Sequence, residues 1–72
     1  MGLFKVLMKK LYKGIFNFRV GIIRKYCKAY SLKQAQLLMI NHIAKDQRVS
    51  RSFIKNWMME HSEHWKIELE EQ

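Results

Sequence analysis

The 72-residue sequence has no proline, three glycines and a single cysteine, Cys27. Folds rich in tight turns, such as β sandwiches and barrels, use glycine and proline at those turns, so their scarcity argues against such folds. One cysteine excludes an internal disulfide framework and a cysteine-based zinc finger. Long apolar runs are also lacking, since a stretch such as residues 37–40 is far shorter than a membrane span. We therefore expect one small cytoplasmic domain with a reduced thiol.

Positive charge is what the sequence has in excess. The formal net charge is +8, from 14 lysines and arginines against six acidic residues. Residues 1–30 carry eight basic residues and no acidic one, whereas residues 52–72 carry two basic and five acidic residues. An excess of this kind predicts an anionic partner, either nucleic acid or an acidic membrane surface.

Apolar residues in the basic half recur at helical spacing. They predict an amphipathic helix from about Leu3 to Lys28, with lysines and arginines opposite its apolar stripe. Gly14 and Gly21 are seven residues apart and share one face of this helix. They either allow close backbone approach or divide the helix in two.

Two further helices are predicted from their N-caps. Ser31, which forms a capping box with Gln34, begins a helix that continues to about Lys45. Ser50 caps another helix, whose apolar stripe continues to Leu69.

The sequence therefore predicts an all-α fold, a small bundle of three helices. We expect one domain over residues 1–72, with a basic amphipathic helix in residues 1–30 and a helical hairpin in residues 31–72. The second and third helices of this bundle have the order and spacing of a helix-turn-helix unit.

The positions that match the helix-turn-helix pattern lie in residues 40–59. The first helix of the motif needs an apolar residue and then a small one at the crossing point, which Ile43-Ala44 supplies. Apolar residues follow at the later inward-facing positions, Val49, Ile54 and Trp57. The segment resembles the helix-turn-helix of bacterial and phage repressors, resolvases and transposases. It departs from that family at the turn, where Arg48 replaces the usual glycine and Gln47 the usual apolar residue.

The resemblance implies that the third helix enters the major groove of DNA with its N-terminal end. Arg51 would then bind guanine and Asn56 adenine, while the other polar residues hold phosphates. The expected DNA-binding residues are Ser50, Arg51, Ser52, Lys55, Asn56, Lys45 and Arg48. A secondary face for an anionic partner is expected on the first helix, at Lys9, Lys10, Lys13, Arg24 and Lys28.

The expected function is that of a small basic DNA-binding protein of the nucleoid, a transcription regulator or accessory factor. A homodimer through the first helix, or through Trp65 and Leu69 of the third, would suit this role. No enzyme, cofactor or metal site is expected. Arg24 and Lys28 would lower the pKa of the Cys27 thiol, yet no catalytic partner stands at a recognisable spacing.

Two other functions remain open at this level. A lysine-rich amphipathic helix that carries Leu3, Phe4, Phe16 and Phe18 is typical of proteins that lie on membrane surfaces. The chain is then a peripheral membrane factor or a bacteriocin-like membrane-active protein. The same apolar stripe is also what the core of a three-helix domain requires. The third possibility is an adaptor that binds another protein.

Overall fold

A computed structural model describes residues 8–19 and 21–70 as an α+β fold, in which a three-stranded sheet packs against two helices. The elements are, in chain order, β1 (Lys10–Phe18), β2 (Gly21–Ala29), α1 (Leu32–Gln47), α2 (Arg51–Glu60), a 3₁₀ turn (Ser62–His64) and β3 (Trp65–Leu69). The sheet is antiparallel with the order β2-β1-β3, so the last strand pairs with the first. The predicted all-α bundle of three helices is therefore wrong.

The predicted basic amphipathic helix is a β-hairpin over residues 10–18 and 21–29. Burial in β1 alternates, and the buried aromatic residues Tyr12, Phe16 and Phe18 all occupy even positions. The apolar residues of this segment lie on both faces of the hairpin, since Leu11 and Ile15 occupy odd positions of β1. Many of them are β-branched or aromatic, which favours strands over a helix. Residues 3–7 and residue 20 of the predicted helix lie outside the described ranges.

Both glycines of the hairpin stand where a side chain would not fit the packing or the backbone conformation. Gly14 is buried in the middle of β1, where a Cβ atom would overlap the Sδ atom of Met39 and lie 2.8 Å from the ring of Phe16. Gly21 begins β2 with a φ of 119°, a conformation that residues with a side chain rarely adopt. Gly14 therefore lets α1 approach the sheet closely, and Gly21 lets the chain reverse direction.

The sheet has one covered face and one open face. Even-numbered residues of β1 point toward the helices and form the core with apolar residues of α1 and α2. The buried core comprises Tyr12, Phe16, Phe18, Ala29, Ala35, Met39, Ile40, Ile43, Ala44, Ile54 and Met58. On the open face, alternate residues of β2 are exposed, namely Ile22, Arg24, Tyr26 and Lys28.

The two helices begin where the sequence predicts. The Ser31 Oγ accepts a hydrogen bond from the backbone N–H of Gln34, and the Ser50 Oγ accepts one from Phe53, both at 3.1 Å. The Gln34 side chain accepts from the N–H of Tyr30 at 2.7 Å, so the second bond of the capping box goes to the residue before the cap. The α1 helix ends two residues beyond the predicted end.

The predicted third helix is too long. It ends at Glu60, and the chain returns to the sheet as β3. Residues 65–69 alternate between apolar and charged, which is the periodicity of a strand, and they pair with the free side of β1. The Trp65 ring stacks on Phe16 with centroids 6.4 Å apart. Trp65 and Leu69, which the sequence places on the third helix, therefore lie on a strand.

Candidate nucleic-acid interface

The turn between α1 and α2 is built on a left-handed residue. Arg48 has φ 57° and ψ 45°, and within residues 8–19 and 21–70 no other non-glycine residue has a positive φ. Its N–H donates to the carbonyl of Lys45 at 3.3 Å, and the N–H of Val49 donates to the carbonyl of Ala44 at 3.0 Å. These two bonds form a Schellman motif, which usually contains glycine. The left-handed residue stands where the resembled family has its glycine.

Ser50 and Val49 complete the junction. Val49 packs against the core, which anchors the turn between the two helices. Ser50 is extended, with φ −75° and ψ 157°, and its hydroxyl oxygen caps α2. Because a serine hydroxyl also carries a proton, the capping Ser50 can still donate a hydrogen bond to a phosphate oxygen.

The remaining α2 positions divide between core and solvent as the pattern predicts. Ile54 is buried and Trp57 is half-buried against the core. Ser52, Lys55 and Asn56 are all exposed on the other side of the helix. The first two turns of α2 therefore present a polar surface, here called the α2 outer strip and defined as Ser52, Lys55 and Asn56.

Arg51 lies beside this strip and bonds to α1. Its Nη1 atom donates to the Oδ1 atom of Asn41 at 3.4 Å, while both side chains are exposed. Sequence reasoning missed Asn41. The signal that reveals it is spacing, because Asn41 lies four residues before Lys45 and so shares a helix face with it. Asn41 restricts where the guanidinium of Arg51 can point.

Two open grooves flank the first turn of α2. The larger has a volume of about 590 Å³ and is lined by Asn41, His42, Ala44, Lys45, Val49, Ser50, Arg51 and Ser52. The smaller, of about 390 Å³, is lined by Leu37, Ile40, Asn41, Arg51, Ser52 and Lys55. Asn41, Arg51 and Ser52 line both grooves, so the start of α2 and the Asn41 side chain bonded to it form the ridge between them.

The charge around this ridge is positive. Lys45, Arg48, Arg51 and Lys55 are exposed, and the first turn of α2 contains no acidic residue. The nearest carboxylate in the sequence, Asp46, forms a salt bridge with Lys25 of β2. The hydrogen bond and the charge of Lys25 hold the pKa of Asp46 below its ordinary value, so this carboxylate stays ionised with its charge matched.

The predicted secondary face is wrong as a helical face, because its residues lie on a hairpin. Lys13, Arg24 and Lys28 point to the open side of the sheet, and the Lys13 ammonium lies 3.6 Å from the Glu70 carboxylate. The Lys9 ammonium lies 5.5 Å from the centre of the Tyr30 ring. The exposed Lys10 begins β1 on the same side as Tyr12. The five residues therefore do not form one surface, and three of them face away from the helices.

Other sequence expectations also change. Phe16 and Phe18, which a membrane-surface helix would expose, are buried in the core. Leu3 and Phe4 lie outside the described residues. Across the described ranges, the structure contains no helix long and apolar enough to cross a bilayer. Burial raises the pKa of the Cys27 thiol, contrary to the lowering expected from its basic neighbours in sequence, because those side chains point to the opposite face.

Comparison with known proteins found no relative of this chain. No family model, curated protein or solved structure matches the chain.

Proposed function

We propose that this chain is a small basic DNA-binding protein, a transcription regulator or accessory factor of the nucleoid, and that α2 enters the major groove. One observation carries the proposal. A buried apolar framework and a left-handed turn hold the exposed α2 outer strip, which includes Lys55, next to three further exposed cations, Lys45, Arg48 and Arg51.

The chemistry of the residues assigns their roles. Arg51 has the planar, paired donors that match the two acceptors of guanine, and the Asn56 amide matches the acceptor and donor of adenine. Ser52 and Lys55 suit phosphate oxygens, as does the remaining proton of the Ser50 hydroxyl. Lys45 lies in the last turn of α1 and Arg48 in the turn that follows, where they meet the phosphate backbone rather than the bases. The positive end of the α2 dipole adds to this attraction.

The Arg51–Asn41 bond supports a base-reading role for Arg51 in particular. An arginine has five N–H donors, so one bond to Asn41 leaves enough donors for a paired contact with guanine. Holding the side chain before DNA arrives reduces the conformational entropy that binding costs. We therefore expect Arg51→Ala to cost about 1–3 kcal/mol of binding free energy and to relax the preference at one base position.

The shape of the surface favours DNA over a membrane. A protein that lies on a bilayer inserts an apolar face between lipid headgroups. Here the exposed cations surround two open grooves, and the aromatic residues Phe16 and Phe18 are buried in the core. A grooved, positively charged ridge is complementary to a nucleic-acid backbone.

The test is a titration of the full chain against random duplex DNA and, in parallel, anionic vesicles, at several salt concentrations. We expect DNA binding whose log K falls with log salt at a slope of about 3 to 4, since each phosphate contact contributes roughly 0.9. Lys33→Ala is the matched control for Arg51→Ala, because Lys33 is an exposed cation at the far end of α1. Binding to vesicles alone, or equal behaviour of the two variants, would contradict the proposal.

A further inference from the structure

The end of the β1–β2 hairpin packs against the face of α2 that carries Phe53 and Trp57. Phe18, the last residue of β1, is buried, and its ring meets that of Trp57 edge-on, with centroids 4.9 Å apart. It also meets the ring of Phe53 at 6.4 Å and an interplanar angle of 82°. These contacts fix the hairpin end relative to the first two turns of α2.

Arg19 follows directly and is held over these rings. It is exposed, and its guanidinium carbon Cζ lies 5.2 Å from the centre of the Phe18 ring and 5.4 Å from that of Phe53. Cation–π contacts of this kind favour a fixed position for the guanidinium. Among the residues that the structure describes, no carboxylate forms a salt bridge with Arg19.

Arg19 and Arg51 lie on opposite flanks of α2. Helical residues advance by about 100° each, so Phe53 stands about 200° around the helix from Arg51. Arg51 faces α1 through its bond to Asn41, whereas Phe53 faces the hairpin and Arg19. The exposed Ser52 and Asn56 of the α2 outer strip lie between the two arginines.

The width of the DNA major groove fits an α-helix with one arginine on each flank. The major groove is about 12 Å wide, and a helix with its side chains is about 10–12 Å across. A helix seated in the groove therefore has one phosphate backbone beside each flank. We propose that Arg19 is a phosphate-binding residue, and that the hairpin end contacts the DNA strand opposite the one met by Lys45 and Arg48.

This inference rests on the proposed function, since it adds a second backbone contact to the same site. Arginine suits the role, because its guanidinium binds phosphate through two parallel hydrogen bonds. The contact carries no base information, so its loss weakens binding to all sequences equally. It makes the hairpin part of the DNA-binding surface, although the sequence pattern of residues 40–59 gives no indication of that.

The experiment compares Arg19→Ala, Arg19→Lys and Arg24→Ala in DNA titrations at several salt concentrations. Arg24 is the matched control, an exposed arginine of the same hairpin that points to the open face of the sheet. For Arg19→Ala we expect a salt slope lower by about one unit and the same fold-loss on specific and random duplexes. Arg19→Lys should keep the slope, and Arg24→Ala should match the unaltered chain.

The outcomes separate this inference from the proposed function. If the unaltered chain does not bind DNA, or if Arg51→Ala has no effect, the proposed function fails and this inference fails with it. If Arg51→Ala weakens binding while Arg19→Ala behaves like Arg24→Ala, only the phosphate contact is overturned. If Arg19→Ala binds DNA more weakly with an unchanged salt slope, Arg19 acts by packing on Phe53. That result also overturns the phosphate contact.

Discussion

The indole N–H of Trp65 donates a hydrogen bond to the backbone carbonyl of Met58 at 2.7 Å. The bond joins β3 to the last turn of α2, and the same indole stacks on Phe16 of the central strand. Trp65→Phe keeps a ring and removes the donor, so we expect a loss of about 1 kcal/mol in the free energy of unfolding. Urea denaturation of Trp65→Phe and of the unaltered chain measures this difference in the free energy of unfolding. Met59→Ala, at an exposed residue of the same helix, should change stability by less than about 0.5 kcal/mol.

Trp65 also shows where the sequence pattern misleads. Counted from Trp57 and His61, it falls at the next position of a helical stripe, and the stripe predicts a continuous helix. The strand forms because β1 offers a pairing edge and a ring to stack on, and both belong to residues about fifty positions earlier. A local periodicity in the sequence does not reveal contacts between residues so far apart in the chain.

The α1–α2 unit was predictable because its determinants are local. The caps at Ser31 and Ser50 act within three residues, and the inward positions Ile54 and Trp57 follow from helical spacing. The candidate interface residues on this unit are exposed, as the helical spacing predicts. The helical spacing from Lys45 places Asn41 on the same face of α1, but its bond to Arg51 and the contact of Arg19 with Phe53 depend on the packing of separate elements.

The contact between Gly14 and Met39 predicts a steric cost. An alanine at position 14 would place its Cβ against the Met39 Sδ atom and the ring of Phe16, at the point where α1 crosses the sheet. We expect Gly14→Ala to lower the free energy of unfolding by about 1–3 kcal/mol. In a Met39→Ala background the same change should cost less, because the overlapping atom is gone. Equal costs in both backgrounds, measured by chemical denaturation, would contradict this account.

The Lys25–Asp46 pair predicts a stability difference that depends on pH. Lys25 holds the pKa of Asp46 below its ordinary value, so the pair stabilises the fold while the carboxylate is ionised. That contribution is fully present above the unfolded pKa of about 3.9 and disappears as the pH falls through the lower, folded pKa. The melting temperature of Asp46→Asn should therefore lie below that of the unaltered chain at pH 7 and approach it in acid. In a Lys25→Met background, Asp46→Asn should show no such trend.

Arg48 combines an unfavourable conformation with a proposed binding role, and these predict opposite effects of one substitution. A left-handed residue with a side chain costs roughly 1–2 kcal/mol, which glycine avoids. Glycine also loses more conformational freedom on folding, so Arg48→Gly should raise the free energy of unfolding by a net of about 0.5–1 kcal/mol.

The same substitution removes a cation from the turn. Arg48→Gly should therefore bind DNA more weakly, with a salt slope lower by about one unit. Arg48→Ala is the control, since it removes the cation but keeps a Cβ in the left-handed conformation. It should lose the same affinity without the gain in stability. If Arg48→Gly is more stable and binds DNA as tightly as the unaltered chain, Arg48 has no contact with phosphate, and glycine would suit the turn better in every respect.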